Sequence, residues 1–210
     1  AIMEDLRERG FAVARGPLDR AEYIELARDL GALVAEESIA LRPGAHAYVA
    51  KPGSVPFHTD HPEVDVIGWL CEAQDESDGA SLLLDTRPVL AALPESERAM
   101  LRRVHLGCPP LAGGPPTGTW PVLRESCDGS AVFCSPWLHA VGATDDEAEA
   151  LERFRRYLSA AATAPEQVRL APGEALFVDN GRVLHGRRAI VESSRRRLWR
   201  VWLRLPKAWR

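Results

Sequence analysis

The chain has 210 residues, of which 46% are hydrophobic and 27% are charged, and its formal net charge is −4. These values are typical of a globular protein with one hydrophobic core, so we expect a single domain over residues 1–210. The small negative charge argues against a surface made to bind nucleic acid, and no apolar stretch reaches transmembrane length. We expect neither a nucleic-acid nor a membrane partner, and the sequence leaves the oligomeric state open.

The four cysteines are Cys71, Cys108, Cys127 and Cys134, and they form no C-x-x-C pair. The sequence shows no secretory signal pattern. We therefore expect free thiols in a reduced, cytoplasmic protein.

In the N-terminal half, helical and extended segments alternate with loops rich in proline and glycine. Asp19 is a good N-cap for a helix that Gly31 would close. Pro94 is expected to divide a later helical pattern in two. The expected segments are helices at about 4–9, 20–30 and 88–104, strands at 11–14, 64–72 and 80–86, and a loop at 42–56 with a short strand at 46–50.

The C-terminal half combines a second Pro/Gly-rich loop at 107–118 with one long helix and several strands. Asp145 and Asp146 open an amphipathic helix that extends to about residue 161. The expected strands are 121–124, 131–135, 168–170, 175–179 and 198–205. Many short strands with few helices outside them predict a mainly β fold with flanking helices, a β-sandwich or jelly roll.

Two separated motifs carry the most informative residues: His58-Thr59-Asp60, and D-N-G-R-V-L-H-G-R at 179–187. On an extended segment His58 and Asp60 point to the same face, because alternate side chains do so. His185, which follows a predicted strand and turn, is the leading candidate for a third ligand. Two histidines and a carboxylate form the facial triad that holds non-haem Fe(II) and leaves positions open for oxygen and a co-substrate. For the H-x-D pair alone, an ordinary surface loop is the alternative explanation.

The other histidines are weaker candidates for metal ligands. His61 has an odd offset from His58, so on a strand it faces away. His46, His105 and His139 have no partner at useful spacing, and packing or solvent roles explain them.

Alternation with a period of two divides residues 196–205 between two faces. One face is apolar, and the other carries Arg196, Arg200 and Arg204. If this second face points into a barrel, its guanidinium groups need a carboxylate, which a planar guanidinium binds well. The alternative is an amphipathic strand with its arginines in water, since buried arginine is rare.

The combination of these motifs resembles the taurine dioxygenase and clavaminate synthase-like superfamily. It consists of H-x-D, D-N-x-x-x-x-H-G-R, Arg196 eleven residues after the distal histidine, and Arg200 four residues later. The resemblance extends from about Phe57 to Arg200. It implies a double-stranded β-helix, or cupin-like jelly roll, and an Fe(II)/2-oxoglutarate-dependent dioxygenase that consumes O2.

The resemblance also implies roles for individual residues. His58, Asp60 and His185 would be the iron ligands and the catalytic centre. Arg196 would bind the distal carboxylate of 2-oxoglutarate. Ser81 matches the position where related proteins place a Thr or Ser hydroxyl on that co-substrate.

Two further residues receive roles from the same resemblance. Arg200 matches a second arginine that sometimes binds an anionic substrate group, and Arg187 of the H-G-R signature would support the site. Related halogenases lack the carboxylate ligand, so the presence of Asp60 predicts hydroxylation, with desaturation or cyclisation as variants. For Asn180 and Arg182 the sequence favours a structural role in the turn over substrate contact.

The chain is shorter than typical members of this superfamily, so we expect trimmed lid insertions and an open substrate pocket. An open pocket would admit an amino-acid-like small molecule, or a residue tethered to a carrier protein or peptide. A small oxygenase of the kind that the resemblance implies, in an arginine- and alanine-rich chain, is consistent with bacterial natural-product biosynthesis.

Two other classes of protein remain as alternatives. One is a non-catalytic jelly-roll binding protein, and the other is a metal-dependent dioxygenase that does not use 2-oxoglutarate. Joint presence of the three ligands, Ser81 and Arg196 favours the 2-oxoglutarate enzyme over both. A hydrolase is disfavoured, because the sequence has no G-x-S-x-G motif.

Overall fold

The helices lie at the N-terminus and in the interior of the described chain, whose last element is a strand. The computed structural model describes residues 2–42, 44–45, 47–75, 79–108, 118–126 and 129–207. Within these ranges the α-helices are α1 (Ile2–Arg9), α2 (Arg20–Leu30), α3 (Arg87–Ala92), α4 (Glu95–Arg103) and α5 (Asp145–Ala161). A single turn of 3-10 helix occupies Tyr48–Ala50. No helix in these ranges is both long enough and apolar enough to cross a membrane.

Strands make up most of the remaining described structure. They are β1 (Phe11–Ala14), β2 (Ala32–Ala40), β3 (Gly53–His58), β4 (Val66–Ala73), β5 (Ser81–Asp85), β6 (His105–Gly107), β7 (Thr119–Pro121), β8 (Leu123–Ser126), β9 (Gly129–Val132), β10 (Glu166–Val168), β11 (Ala175–Asp179), β12 (Val183–Ile190) and β13 (Arg197–Arg204). The larger sheet has the order β1-β11-β4-β13-β2, and the smaller has the order β10-β5-β12-β3. All their pairings are antiparallel. The prediction of a mainly β fold with flanking helices is confirmed at this level.

The two sheets share a hydrophobic core. Leu83 and Val183 of the smaller sheet belong to the same buried cluster as Leu176 and Leu198 of the larger sheet. The described cysteines are buried free thiols, as predicted, and Cys127 lies outside the described residues. The sheets therefore face each other, and a space between them can hold a site.

Strand β13 has the two faces that its alternation predicted. Val201 and Leu203 pack on α2, in a cluster that includes Tyr23 and Ala27. Leu198, of opposite parity, packs in the cluster between the sheets. The even-numbered positions of this strand therefore point toward the smaller sheet.

Local signals explain where several helices begin. Asp19 caps α2 and forms a capping box with Glu22. Helix α5 has the same kind of cap, but the cap is Thr144, one residue before the acidic pair predicted to open the helix. Pro94 separates α3 from α4, as predicted.

The structure corrects other parts of the prediction. The expected strand at 46–50 is wrong, because Tyr48–Ala50 is a 3-10 turn and His46 lies outside the described residues. Strand β3 begins inside the predicted loop, and β2 and β12 were not predicted. The strand expected at 168–170 is instead Glu166–Val168. Of the predicted loop at 107–118, residues 109–117 lie outside the described residues.

Candidate metal and co-substrate site

The two histidines of the predicted ligand set lie side by side on neighbouring strands. β3 pairs antiparallel with β12, and the register places His185 opposite His58. Their ring centroids are 4.2 Å apart, and the residues are 4% (His58) and 6% (His185) exposed. A Cβ at Gly186 would lie 2.8 Å from the carbonyl oxygen of Val55. Glycine in the H-G-R signature therefore lets β12 pass close to β3.

Asp60 lies just beyond the end of β3 and turns its carboxylate toward both imidazoles. Its Oδ1 is 3.5 Å from Nε2 of His58 and 3.7 Å from Nε2 of His185. One potential ligand atom from each of the three residues lies within 4.8 Å of the others. These separations are short enough for one ion to bind all three residues.

The two imidazoles differ in what holds Nδ1, since in both residues Nε2 is the nitrogen close to Asp60. Nδ1 of His58 lies 2.9 Å from the carbonyl oxygen of Pro56, and a hydrogen bond there leaves the lone pair on Nε2. Nδ1 of His185 is buried without a hydrogen-bond partner among the described residues. The ring of Trp69 packs against His185 with a centroid distance of 5.0 Å. His58 is therefore oriented by a hydrogen bond, and His185 by packing.

The charges at the site favour metal-binding protonation states. Burial would raise the pKa of Asp60, but the charge of Arg200 and the contacts with both histidines outweigh it, so the pKa falls well below its usual range. Burial, followed by repulsion from His58, lowers the pKa of His185 to about 3. At neutral pH Asp60 is thus ionised and His185 is neutral, which are the forms that bind metal ions.

The second oxygen of Asp60 is held by two donors. Oδ2 accepts hydrogen bonds from Nη1 of Arg200 at 3.1 Å and from Nε1 of Trp202 at 2.8 Å. Arg200 also forms an ion pair with Glu37, its register partner on β2. Arg200 therefore lies beside the ligand group, but two carboxylates already match its charge. An anionic substrate group would compete with Glu37 for this guanidinium.

Asn180 ties the Asp60 segment to the turn before β12. Its side-chain Oδ1 accepts a hydrogen bond from the backbone N–H of Asp60 at 2.7 Å. Its Nδ2 donates to the carbonyl oxygens of His61 at 3.0 Å and Val64 at 2.9 Å. The sequence favoured a turn role for Asn180 and missed this contact with the ligand segment. The one available signal was its place in the D-N-x-x-x-x-H motif.

Arg196 and Ser81 line a small cavity next to His185. Arg196 is 7% exposed, and its Nε has no hydrogen-bond partner among the described residues. Burial, together with the charge of Arg187, lowers the pKa of Arg196 to about 10, so the group is still charged at neutral pH. A Cβ at Gly79, where φ is +93°, would lie 2.9 Å from Cδ of Arg196. Glycine therefore makes room for this side chain.

Arg187 holds the segment before β3 against β12. Its Nη1 donates to the carbonyl oxygen of Val49 at 3.0 Å, and its Nη2 donates to those of Lys51 and Gly53 at 2.8 and 2.9 Å. These contacts are structural, which is the role that the H-G-R signature predicted for this arginine.

An aromatic pair borders the His58 side of the site. The ring of Trp137 lies 4.8 Å from that of His58. Tyr48 stacks on Trp137 at a centroid distance of 5.0 Å and is half exposed. Tyr48 is therefore the exposed end of an aromatic stack that reaches the ligand group.

The remaining described histidines do not join the ligand group. His61 is buried, and its Nδ1 accepts a backbone N–H two residues along. Nδ1 of His105 bonds a backbone carbonyl, and His139 is exposed. His46 lies outside the described residues.

The residues present fit the group that the motifs imply. Two imidazole nitrogens and one carboxylate oxygen suit non-haem Fe(II). Beside them, the unpartnered Nε of Arg196 suits the carboxylate of an organic acid, because a buried guanidinium needs a charged acceptor. His58, Asp60 and His185 could therefore hold the metal, with a cavity beside them for a co-substrate.

Solved structures of iron oxygenases share this fold. An asparagine oxygenase in complex with Fe(II), hydroxyasparagine and succinate aligns with a TM-score of 0.76 and 22% identity, covering 96% of this chain and 77% of that one. The non-heme iron oxygenase OrfP, in complex with Fe and alpha-ketoglutaric acid, aligns with a TM-score of 0.74, 14% identity and coverage of 96% and 78%. PvcB from Pseudomonas aeruginosa aligns with a TM-score of 0.66, 21% identity and coverage of 94% and 77%.

Sequence comparison assigns the family. No protein in the curated set matches the chain. The family model described as "Taurine catabolism dioxygenase TauD, TfdA family" matches residues 1–202. This match spans nearly the whole chain, and it confirms the predicted superfamily and the prediction of a dioxygenase. The chain belongs to the TauD/TfdA family of dioxygenases.

Proposed function

We propose that this chain is a single-domain Fe(II)/2-oxoglutarate-dependent dioxygenase over residues 1–210, whose facing sheets form a double-stranded β-helix. The observation that carries the proposal is the meeting of His58, Asp60 and His185 beside a buried, unpartnered Nε of Arg196. Membership of a dioxygenase family supports the same chemistry.

Each site residue has a role in this proposal. His58, Asp60 and His185 bind Fe(II). Arg196 binds the distal carboxylate of 2-oxoglutarate through charge-assisted hydrogen bonds, and the Ser81 hydroxyl donates to the same carboxylate. Iron, 2-oxoglutarate and O2 together supply the oxidising power that hydroxylates an unactivated C–H bond, with release of succinate and CO2.

The protein itself contributes orientation and a dry cavity. Arg196 lies on the same side of the sheet as Leu198 and is buried, so it anchors one end of 2-oxoglutarate and directs the other toward the ligand group. Trp69 and Leu198 line the cavity and exclude water. Asp60 is ionised and His185 neutral before any metal arrives, so neither has to lose a proton.

We assign an amino-acid-like substrate, either a small molecule or a residue tethered to a carrier or peptide, in bacterial natural-product biosynthesis. Similar structures support this class, because they hold hydroxylated asparagine and hydroxylated arginine. The substrate would enter past the half-exposed Tyr48, which stacks on the Trp137 ring that contacts His58. We place the protein in the cytoplasm. The proposed reaction requires neither a nucleic acid nor a membrane as a partner.

An anaerobic titration tests the cofactor assignment. Purified apoprotein is titrated with Fe(II) and 2-oxoglutarate, and the visible charge-transfer band of the chelate is followed. The band should appear in the wild type, vanish in His185→Ala and weaken in Arg196→Ala. In air, the wild type should release succinate slowly without substrate.

Two results would contradict the proposal. Wild-type protein that binds no Fe(II) would favour a non-catalytic binding protein. Iron binding with no chelate band at saturating 2-oxoglutarate would favour a dioxygenase that does not use this co-substrate. Substrate class is then tested by mass spectrometry, with free and carrier-tethered amino acids offered in parallel and the gain of one oxygen atom as the readout.

A further inference from the structure

Trp202 contacts the outer oxygen of Asp60, although the proposed chemistry assigns this tryptophan no role. It lies on β13 two residues after Arg200, so both side chains point to the same face. Its indole N–H donates to Oδ2 of Asp60 at 2.8 Å, which is shorter than the 3.1 Å contact from Arg200. Oδ1, by contrast, faces the two histidines.

We propose that Trp202 is a positioning residue that makes Asp60 offer only one oxygen to the metal. This inference rests on the proposed function and adds to it the reason why Asp60 would bind the metal through one oxygen. A carboxylate can bind a metal through one oxygen or through both. With Oδ2 engaged by two donors, only Oδ1 is left for the ion.

Arg200 alone is less suited to this task. Its guanidinium is shared between Asp60 and the exposed carboxylate of Glu37, so its position depends on a contact at the surface. Trp202 has a rigid ring with one N–H that can only donate. The ring also lies under the guanidinium of Arg200 at 4.7 Å, so it supports the second donor as well as supplying the first.

The expected consequence concerns the open positions of the metal. A facial triad keeps three positions free, and 2-oxoglutarate needs two of them. If Oδ2 were released, Asp60 could bind through both oxygens and take one of those positions. Loss of the indole N–H should therefore weaken 2-oxoglutarate binding. Metal binding should weaken as well, because the carboxylate ligand is no longer held in a fixed orientation.

Trp199 provides a matched control on the same strand. Its indole N–H also donates to a carboxylate, that of Glu36, at 3.2 Å, and its ring also packs with an arginine, Arg20, at 3.8 Å. Trp199 has the opposite parity to Trp202 and packs with the cluster around α2. Trp199→Phe therefore removes the same chemical group from the same strand away from the site.

The experiment compares wild type, Trp202→Phe and Trp199→Phe. We measure Co(II) and Fe(II) affinity anaerobically, the visible Co(II) absorption spectrum, and the Kd for 2-oxoglutarate on the Fe(II)-loaded protein. In Trp202→Phe we expect metal affinity to fall about 10- to 100-fold, as is typical when a partner of a metal ligand is lost. The Co(II) spectrum should change and 2-oxoglutarate should bind more weakly, while Trp199→Phe matches the wild type.

The outcomes separate the two proposals. If Trp202→Phe matches Trp199→Phe in metal affinity, Co(II) spectrum and 2-oxoglutarate binding, the positioning role is wrong and the dioxygenase proposal stands. If the wild type binds neither metal nor 2-oxoglutarate, the dioxygenase proposal itself is wrong.

A measurement on wild-type protein covers the case in which Trp202→Phe does not fold. In protein labelled with 15N at the indole nitrogens, Zn(II) should shift the Trp202 N–H resonance and leave that of Trp199 in place. An unshifted Trp202 resonance at saturating Zn(II) would overturn the positioning role.

Discussion

The Asp60 side and the Arg196 side of the site contrast in how their polar groups are satisfied. Asp60 donates its backbone N–H to Asn180 and receives two hydrogen bonds on Oδ2. Arg196 is buried, and its Nε has no partner among the described residues. Nδ1 of His185 beside it also has none among these residues. Apart from Oδ1, which faces the two histidines, the polar groups of Asp60 are satisfied within the protein, whereas the Arg196 side needs an acceptor from outside. The Asp60 side is therefore the scaffold of the site, and the Arg196 side is the receptor for a ligand.

Removal of the carboxylate ligand should have the largest effect. We expect Asp60→Ala to bind Fe(II) at least about 100-fold more weakly, because even partners of metal ligands contribute 10- to 100-fold. Anaerobic calorimetry with Fe(II) measures this loss. Substitution of the exposed His139 by alanine is the control, and equal losses in both variants would show that the site is elsewhere.

Asn180→Ala tests whether the Asp60 side is a scaffold. Three buried hydrogen bonds are lost, so the free energy of unfolding should fall by about 3 kcal/mol, at roughly 1 kcal/mol for each. Urea unfolding measures the change, and metal affinity should fall with it. Asn180→Asp keeps the acceptor for the Asp60 N–H but places a buried carboxylate oxygen against the carbonyl oxygens of His61 and Val64, so we expect a loss at least as large. Unchanged stability in Asn180→Ala would contradict the scaffold interpretation.

Arg196→Met tests the Arg196 side, where we expect ligand binding to weaken and stability without ligand to rise. Binding of 2-oxoglutarate should weaken about 10- to 100-fold, since a hydrogen bond to a charged group contributes about 1.5–3 kcal/mol. Stability without ligand should rise, because burial holds the pKa of this arginine near 10 and the buried charge is costly. Thermal unfolding with and without 2-oxoglutarate measures both effects. Arg188→Met, a substitution of an exposed arginine, should change neither 2-oxoglutarate binding nor stability. Lower stability of Arg196→Met without ligand would contradict the assignment of Arg196 to the receptor side.

Acid should destabilise the metal-free protein through His185. Its pKa is lowered to about 3 in the folded chain, against about 6.5 when unfolded. Above pH 6.5 the contribution of neutral His185 to the free energy of unfolding is fully present. As the pH falls below 6.5, the unfolded chain binds a proton at His185 and the folded chain does not, so this contribution is lost. From pH 6.5 to 5 the loss should be about 2 kcal/mol. Urea unfolding of wild type and His185→Gln measures it, and parallel pH slopes would refute the assignment.

Ser81→Ala should have the smallest effect. One neutral hydroxyl contributes about 0.5–1.5 kcal/mol, so 2-oxoglutarate should bind roughly 2- to 10-fold more weakly. The Kd on Fe(II)-loaded protein measures this change, with Ser159→Ala, on the exposed face of α5, as a control for loss of a hydroxyl away from the cavity. No change in Ser81→Ala would leave Arg196 as the sole anchor that the sequence identified.

The sequence predicted elements whose signals are local and missed those shaped by neighbours. Helix α2 followed from Asp19, and β13 followed from its alternation. Strand β3 was interpreted as loop because it contains Gly53 and Pro56, yet it lies at the edge of its sheet, where proline is tolerated. Strand β2 carries two adjacent glutamates at another sheet edge, which breaks the alternation that a strand prediction needs.

The same distinction holds within the site. His58, Asp60 and His185 were predicted because motif spacing is visible in the sequence, and the structure brings the three together. The contacts of Asn180 and Trp202 with Asp60 join residues more than a hundred positions apart. No local pattern encodes these contacts, because sheet register creates them.

The pairing of His58 with His185 across β3 and β12 also links ligand binding to folding. In the unfolded chain these two side chains are far apart, so the binding site exists only once that strand pair has formed. An ion that binds the folded chain alone adds RT ln(1 + [ion]/Kd) to its stability, about 2.7 kcal/mol at a hundredfold excess over Kd. Iron supply in the cell would then set the lifetime of this protein against proteolysis, as well as its catalytic capacity.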